Sequence, residues 1–304
     1  MSKKKEFETV ILEVEDGIAT LTLNRPEKMN AFTGQMMKDI IAAFDETDAD
    51  DDVGAVIVTG SGERAFCAGA DLSQGGKTFD YKARQEGGGE PGHSTEEDLQ
   101  RDGGGRCTLR IFESLKPVIG AINGAAVGIG ATMQLPMDVR IAADHARFGF
   151  VFSRRGITPE ACSSYFLPRI VGISQALDWC YSGRVFNADE ALAGGLVKAV
   201  YPKDELMDAA RAWCREIIDN TAPVSVALTR QMMWQMLGAD HPMEAHIIDS
   251  RSIFERGRTA DAKEGVTSFL EKRKPNYPEK VSDGIAPHYP FYPKRHFRWP
   301  EKAE

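Results

Sequence analysis

The stretch PVIGAINGAAVGIGAT, at residues 117–132, combines a strand, a glycine turn and the start of a helix. Residues 117–122 are apolar or small, which is typical of a buried strand. Gly124, Gly128 and Gly130 follow, and glycine allows a tight turn that another group can approach closely. Strand–turn–helix units of this kind are typical of α/β folds, in which helices pack on a sheet.

Elements of the same kind stand on both sides of this stretch. Apolar residues that alternate with polar ones predict strands, and an apolar face at helical spacing predicts a helix, for which Thr33 is a suitable N-cap. The predicted elements are strands at 7–14 and 18–23, a helix at 34–44, and strands at 55–59 and 139–142. This repetition favours an α/β fold.

Composition narrows the classes of function. The chain has 304 residues and a net charge of −8, which argues against nucleic acid or an anionic membrane as its main partner. No apolar run approaches the ~18 residues of a membrane span, and no apolar stretch follows the basic N-terminus, so no secretory signal is expected. The five cysteines are odd in number and scattered, which argues against a disulfide framework. A reducing, cytoplasmic location is therefore expected.

Residues 73–106 form an unusual segment that contains nine glycines. A loop of this length inside a compact domain is usually functional or disordered. Two interpretations are open at this point. The segment is either a flap over a site, since it follows a glycine-rich motif, or a mobile surface insertion.

The C-terminal third has a different character. Helices are predicted at 207–220, 224–237, 243–255 and 260–272. The tail beyond Pro275 is rich in proline and aromatic residues, which is incompatible with a regular helix and favours an extended path over a surface. The predicted organisation is a core at 1–204, a helical oligomerisation subdomain at 205–275 and an extended tail at 276–304.

A second glycine turn, AFCAGADL, occupies residues 65–72. The first turn is not a G-x-G-x-x-G loop, because Met133 stands at the third glycine position, and it is not a P-loop, so nucleotide binding is not expected. Two such turns, each after a buried strand, instead present backbone N–H groups that together can form an oxyanion hole. The alternative for residues 65–72 is a simple strand-to-helix turn capped by Asp71.

Other catalytic patterns do not occur in the sequence. There is no G-x-S-x-G elbow, and His241 and His246 are five residues apart, which is unsuitable for a metal pair on one helix, so no metal site is predicted. Glu160 follows Thr158 and Pro159, which suit an N-cap and a first helical position. From the pattern alone, Glu160 is a first-turn glutamate that complements the helix dipole.

Four ordered motifs together resemble those of the crotonase superfamily, the enoyl-CoA hydratase/isomerase family. They are LNRPEKMNAF at 23–32, AFCAGADL at 65–72, PVIGAING with the later GIG at 117–130, and FLEKR at 269–273. The resemblance extends from about residue 8 to 275. It implies a ββα-superhelix core with a homotrimer or a hexamer of two trimers. It also implies an acyl-CoA substrate, whose coenzyme A part is the only cofactor-like group.

The resemblance also implies roles for individual residues. The backbone N–H groups of Ala70 and Ile129 would hold the thioester carbonyl of the acyl-CoA. Phe269 and Lys272 would approach the nucleotide of the coenzyme A from a neighbouring subunit. The residues implied to bind the substrate and its coenzyme A arm are Arg25, Pro26, Ala68, Asp71 and Gly128.

Two departures from the family pattern shape the expected reaction. Thr132 and Phe152 stand where enoyl-CoA hydratases carry two glutamates that position water. By contrast, PEACSSY at 159–165 resembles the Δ3,Δ2-enoyl-CoA isomerase branch, which implies that Glu160 is the single catalytic carboxylate. Its pKa is expected to be raised by an apolar pocket that includes Phe150 and Phe152. The implied reaction moves a 3-enoyl double bond to the 2-position, a step of fatty acid metabolism.

Several other functions are left open by the sequence. Within the family they are hydration of a 2-enoyl-CoA by Glu160 alone, thioester hydrolysis, dehalogenation and C–C cleavage. A different class is a catalytically silent protein of this fold that binds acyl-CoA or RNA. The lack of a basic stripe argues against RNA, and the presence of both turns together with Glu160 argues against silence.

Overall fold

The strands form two sheets. The computed structural model describes residues 2–82, 101–293 and 295–297. In chain order, the strands are β1 Lys3–Glu6, β2 Val10–Glu15, β3 Ile18–Leu23, β4 Ala55–Gly60, β5 Ala65–Cys67, β6 Val118–Ile122, β7 Ala125–Val127, β8 Val139–Ala143, β9 Arg147–Gly149, β10 Val185–Asn187 and β11 Ala199–Tyr201. The larger sheet has the order β1-β2-β3-β4-β6-β8-β11, and the smaller has the order β10-β9-β7-β5. The larger sheet is parallel from β3 to β11.

The α-helices of the described residues lie between the strands and after the last of them. They are α1 Gly34–Ala49, α2 Gly103–Phe112, α3 Ile129–Thr132, α4 Ser163–Val171, α5 Ile173–Ser182, α6 Ala188–Ala193, α7 Leu206–Asn220, α8 Pro223–Met236, α9 Pro242–Arg256, α10 Ala260–Glu271 and α11 Val281–Gly284. Three successive units, β4-β5-α2, β6-β7-α3 and β8-β9-α4, each place one strand in the larger sheet and the next in the smaller. The predicted α/β fold with a repeated ββα core is therefore confirmed.

The central strand β4 divides the core into two parts. Val56 and Val58 belong to the larger apolar cluster, together with side chains of α1 and α2. Ala55 and Ile57 point the other way, into a cluster that α7 covers. Because β4 and β6 are parallel neighbours, the chain leaves both at the same sheet edge and enters β5 and β7 there. The two glycine turns follow β5 and β7, which pair in parallel, so they lie together at the carboxyl ends of these two strands in the smaller sheet.

Two N-terminal elements differ from the prediction. Helix α1 continues to Ala49, beyond the predicted end at residue 44, since Asp45 and Asp48 accept hydrogen bonds from Arg110 of α2 at 2.7 and 2.8 Å. Ion pairs, rather than apolar contacts, hold this last turn, so the apolar pattern does not reveal it. Strand β1 was not predicted, because its four charged residues are all exposed and show no alternation.

The glycine-rich segment is only partly a loop. The prediction placed residues 103–105 inside it, but α2 begins at Gly103, so this part of the prediction was wrong. Asp102 caps the helix by accepting hydrogen bonds from the backbone N–H groups of Gly104 and Gly105 at 2.9 and 2.8 Å. The cap offsets the low helix propensity of glycine. Residues 83–100, the middle of the predicted flap, lie outside the described residues.

The four predicted C-terminal helices are confirmed as α7 to α10, within two residues at each end. The division of the chain at residues 204 and 275 stays a prediction. The tail is not wholly extended, because it contains the short helix α11. Tyr289 and Phe291 of the tail pack against a cluster that includes Val224 of α8, so these aromatic rings contact their own chain. Residues 298–304 lie outside the described residues.

Candidate active site

The two glycine turns press against each other. Strands β5 and β7 pair in parallel, with Ala65 opposite Ala125. Gly69 has φ +113°, and a Cβ on it would lie 3.1 Å from the carbonyl oxygen of Val127. A Cβ on Gly130 would lie only 2.0 Å from the carbonyl oxygen of Cys67. Glycine is required at these positions because a side chain would separate the two turns.

Each turn presents one backbone N–H group to a common cavity. Around Ala70, the neighbouring groups are engaged, since Phe32 donates to Gly69 and Asp71 donates to Phe32. Ile129 is the first residue of α3, where backbone N–H groups lack helical partners. The N–H groups of Ala70 and Ile129 donate to no acceptor among residues 2–82, 101–293 and 295–297. Both residues line a cavity of about 960 Å³.

Glu160 lines the same cavity, but it is not in a helix. Helix α4 starts at Ser163, and Ala161 and Cys162 before it both have φ +55°, a left-handed conformation that interrupts helical geometry. The prediction of a first-turn glutamate was therefore wrong. Glu160 instead occupies the turn that leads into the helix, and its carboxyl group is directed inward. The distance from Thr132 Oγ1 of α3 to Glu160 Oε1 is 2.6 Å.

The N-terminus of α2 lies against the Glu160 carboxyl on the side opposite Thr132. A Cβ on Gly104 would lie 2.0 Å from Glu160 Oε2 and 2.5 Å from Ile129 Cδ1. Asp102, the N-cap of α2, also accepts a hydrogen bond from the backbone N–H of Ala161 at 2.7 Å. The glycine therefore makes room for the carboxyl group, while Asp102 ties the Glu160 turn to the helix.

The electrostatics of this arrangement favour the protonated form of Glu160. Burial, followed by the negative charge of Asp102 and a side-chain hydrogen bond with it, raises the pKa of Glu160 to about 8. The hydrogen bond from Thr132 acts in the opposite direction, because it stabilises the carboxylate. The expected increase in the pKa of Glu160 is present. It was predicted from an apolar pocket alone, and Asp102 makes a further contribution.

The apolar wall of the cavity differs from the prediction in one residue. Phe152 lines the cavity and is 4% exposed. Phe150 does not belong to the cavity lining, because it stacks on Trp179 with ring centroids 6.1 Å apart, inside the core. In an extended segment, residues 150 and 152 would face the same side. The chain turns after residue 150, so the two rings do not share one surface.

The residues implied for substrate binding are only partly brought together. Ala68, Asp71 and Gly128 line the cavity. Arg25 stands behind this wall, where its guanidinium is 3.0 Å from Asp71. Pro26 does not belong to the cavity lining either.

Two further residues implied for binding lie elsewhere on this chain. Phe269 belongs to α10 and is 80% exposed, and Lys272 is the residue that ends this helix. Neither lines the cavity of its own chain. Their approach to the nucleotide of a neighbouring subunit stays a prediction.

Sequence reasoning missed Asp102 and Gly104. The signal was present as an aspartate directly before three glycines, since aspartate is a common N-cap. Three glycines are more typical of a loop than of a first helical turn, so the capping signal was hidden. The partnership of Thr132 with Glu160 joins residues that are 28 positions apart, and no local pattern predicts it.

Neither a metal centre nor a membrane span is found in the described ranges. Over residues 2–82, 101–293 and 295–297, no three His, Cys, Asp or Glu side chains are placed to hold a metal ion. In the same ranges, none of the helices has the length and apolar character needed to cross a bilayer.

Comparison with known proteins defines the class to which this fold and cavity belong. The family model described as enoyl-CoA hydratase/isomerase matches residues 13–280. The chain therefore belongs to the enoyl-CoA hydratase/isomerase family, the crotonase superfamily, and is an enzyme of that family. The resemblance drawn from the four sequence motifs is confirmed.

Individual relatives carry more than one activity in their names. The chain is 39% identical to the enoyl-CoA hydratase ACTT3 of Alternaria alternata, over 88% of this chain and 85% of that protein. It is 32% identical to the 1,2-epoxyphenylacetyl-CoA isomerase of Escherichia coli, over 90% of this chain and 100% of that protein. Among solved structures, the enoyl-CoA hydratase of Bacillus anthracis aligns with a TM-score of 0.76 and 28% identity, covering 89% of this chain and 99% of that one.

Proposed function

We propose that this enzyme isomerises 3-enoyl-CoA to 2-enoyl-CoA, with Glu160 as the single base. The observation that carries the proposal is the position of the Glu160 carboxyl. It lies at the cavity wall beside the turn that carries Ile129. The family resemblance further implies that Thr132 and Phe152 stand at the positions of the two hydratase glutamates. One base that serves two carbon atoms needs no activated water.

Glu160 is the most available of the three carboxylates among the described residues of the cavity lining. Asp71 is held by Arg25 and by the backbone N–H of Ser73 at 3.0 Å each. Asp102 accepts three backbone hydrogen bonds. Glu160 accepts from Thr132 Oγ1 at 2.6 Å and shares a side-chain hydrogen bond with Asp102, but no backbone N–H of the described residues donates to its carboxyl group, so it is the least tied of the three to the backbone.

The chemistry follows from these positions. The Glu160 carboxylate removes a proton from C2 of the acyl group, and the electron pair delocalises onto the thioester oxygen. The N–H groups of Ala70 and Ile129 stabilise that oxyanion. Glu160 then returns the proton to C4 while the double bond moves from C3–C4 to C2–C3. No atom is gained or lost, and a base whose pKa is near 8 is well matched to this exchange.

The remaining assignments belong to the same proposal. Acyl-CoA enters along the wall formed by Ala68, Asp71 and Gly128, and Arg25 and Pro26 support the coenzyme A arm. Phe269 and Lys272 reach the nucleotide of a neighbouring subunit in a homotrimer or a hexamer. The enzyme acts in the cytoplasm, in fatty acid metabolism.

Hydration of a 2-enoyl-CoA is the second candidate. The observation that favours it is the name of the relative in Alternaria alternata, an enoyl-CoA hydratase. In this alternative, Glu160 alone would activate water and deliver a proton to C2. The apolar side chain of Phe152 disfavours it, because it offers no hydrogen bond to a water molecule in the cavity.

One assay separates the two candidates. Isomerisation of a 3-enoyl-CoA creates the conjugated thioester and increases its absorbance, whereas hydration of a 2-enoyl-CoA removes the conjugation and decreases it. We expect isomerisation to be faster than hydration. For any variant in which a glutamate of the site is replaced, Glu63→Gln is the control, because Glu63 is an exposed surface glutamate. Efficient hydration without isomerisation would overturn the proposal in favour of the second candidate.

A further inference from the structure

Asp102 occupies an unusual position for a helix cap. Its Oδ1 accepts from the backbone N–H of Gly104 at 2.9 Å, and its Oδ2 accepts from Gly105 at 2.8 Å and from Ala161 at 2.7 Å. The first two bonds cap α2. The third reaches 59 residues along the chain to the residue that follows Glu160. A cap of α2 alone would not require this third bond.

The surroundings of Glu160 make Asp102 the charge that matters to it. Cys67 of β5, Cys107 of α2 and Cys162 before α4 also interact electrostatically with Glu160. Burial raises the pKa of Cys67 to about 12 and that of Cys162 to about 11, and it also raises the pKa of Cys107. The three thiols are therefore neutral at physiological pH.

Other charged side chains also line the cavity. They are Lys77, Arg101, Arg106, Arg155 and Asp71. The causes that raise the pKa of Glu160 are burial and Asp102, and the cause that lowers it is the hydroxyl of Thr132. Asp102 is thus the charged side chain of the described residues to which the raised pKa of Glu160 is traced.

We propose that Asp102 is a positioning residue of the active site, which fixes the Glu160 turn through Ala161 and keeps a proton on Glu160 in the free enzyme. The three backbone N–H groups stabilise the negative charge of Asp102. A negative charge beside a buried carboxyl group disfavours the ionisation of that group, so Glu160 retains its proton. This role of Asp102 rests on the proposed function only in that Glu160 is taken as the catalytic base.

A titration of Glu160 tests this proposal without any substrate. Infrared spectroscopy detects the stretching band of a protonated carboxyl group, and the band that disappears in Glu160→Gln belongs to Glu160. In the unchanged enzyme, we expect this band to titrate near pH 8. In Asp102→Asn, the midpoint should fall by about one pH unit, because a like charge is removed while burial remains.

Two further variants test whether the change in the midpoint comes from the charge of Asp102. Asn187→Ala removes the N-cap of α6, whose side chain accepts from Glu190 at 2.9 Å, and should leave the Glu160 midpoint unchanged. Asp102→Ser keeps a neutral cap, so it should lower the midpoint even if Asp102→Asn does not fold. An unchanged midpoint in the folded Asp102 variants would overturn the proposal.

Activity assays then separate this proposal from the assignment of the reaction. Both carboxylate oxygens of Asp102 are engaged by backbone N–H groups, so we expect Asp102 to act through Glu160 and not on the substrate. Its neutral variants should lower the high-pH plateau of kcat more than they change KM, and they should shift the rise of the pH profile to lower pH. Absence of isomerase activity in the unchanged enzyme would reject the proposed function, whereas the infrared titration would still report on Asp102.

Discussion

Thr132 Oγ1 lies 2.6 Å from Glu160 Oε1 and 3.3 Å from the carbonyl oxygen of Gly128. A hydroxyl group has one proton, so Thr132 donates either to the glutamate or to the glycine turn. When Glu160 is ionised, it accepts from Thr132, and when Glu160 is protonated, it can donate to Thr132 instead. The hydroxyl therefore couples the ionisation of Glu160 to the turn that presents the Ile129 N–H group.

The first prediction is that activity increases with pH. The ionised form of Glu160 is the base, and its pKa in the free enzyme is about 8. The value of kcat/KM should therefore rise through neutral pH and level off above about pH 8. Initial rates at substrate concentrations below KM, measured over a pH series, test this. A profile that is flat from about pH 6 to 9 would contradict a base with this pKa.

The second prediction concerns the free energy of unfolding. The pKa of Glu160 is raised from 4.5 in an ordinary glutamate to about 8 in the folded protein. Between these values the folded state binds more protons than the unfolded state, so stability decreases as pH rises through this window. Glu160→Gln removes the effect, and above about pH 8 it should be more stable than the unchanged protein by up to about 5 kcal/mol.

Urea unfolding at several pH values measures this difference. Below pH 4.5 the two proteins should have similar stability, because Glu160 is then protonated in both states. The surface variant Glu63→Gln is the matched control, since Glu63 pairs with Lys203 in an exposed position. A gap between Glu160→Gln and the unchanged protein that is independent of pH would refute the second prediction.

The third prediction distinguishes two neighbouring glycines. Gly104→Ala places a Cβ 2.0 Å from Glu160 Oε2 and should displace the carboxyl group, with a loss of at least about tenfold in kcat. Gly103→Ala is the matched control, because its Cβ would only contact Met37 Sδ at an ordinary 3.4 Å. Equal activity of the two alanine variants would show that the space beside Glu160 is not needed.

The fourth prediction concerns the tail. Glu279 pairs with Arg256 of α9, and Ser282 donates to Asp51, so the tail is tied to the body of the chain at several points. Truncation after Pro275 also uncovers Val224 of α8, and it should lower the melting temperature. We further expect the shortened protein to lose its oligomeric state more readily on dilution.

Light scattering and thermal unfolding of the truncated protein test both parts. An unchanged melting temperature would mean that the contacts of the tail contribute nothing to stability. A lower melting temperature with an unchanged oligomer at the lowest measurable concentration would confine the tail to its own chain and refute the intersubunit part.

The sequence predicted the backbone of the site better than its side-chain environment. The turns that carry Ala70 and Ile129 were found because glycine at fixed positions is a local signal. Asp102 was missed because its third hydrogen bond depends on Ala161, which is distant in sequence. Glu160 was singled out by resemblance, but its place before α4 depends on the left-handed residues at 161 and 162, and no propensity rule predicts two of them in succession.

The most direct test of the central claim is the turnover of 3-enoyl-CoA by Glu160→Gln. Glutamine keeps the size of the side chain and a hydrogen bond to Thr132, but it cannot accept the C2 proton. We expect kcat to fall by a factor of about 10²–10⁴, with acyl-CoA affinity almost unchanged. Turnover equal to that of the unchanged enzyme, measured by the increase in enoyl-thioester absorbance, would contradict the assignment of Glu160 as the base.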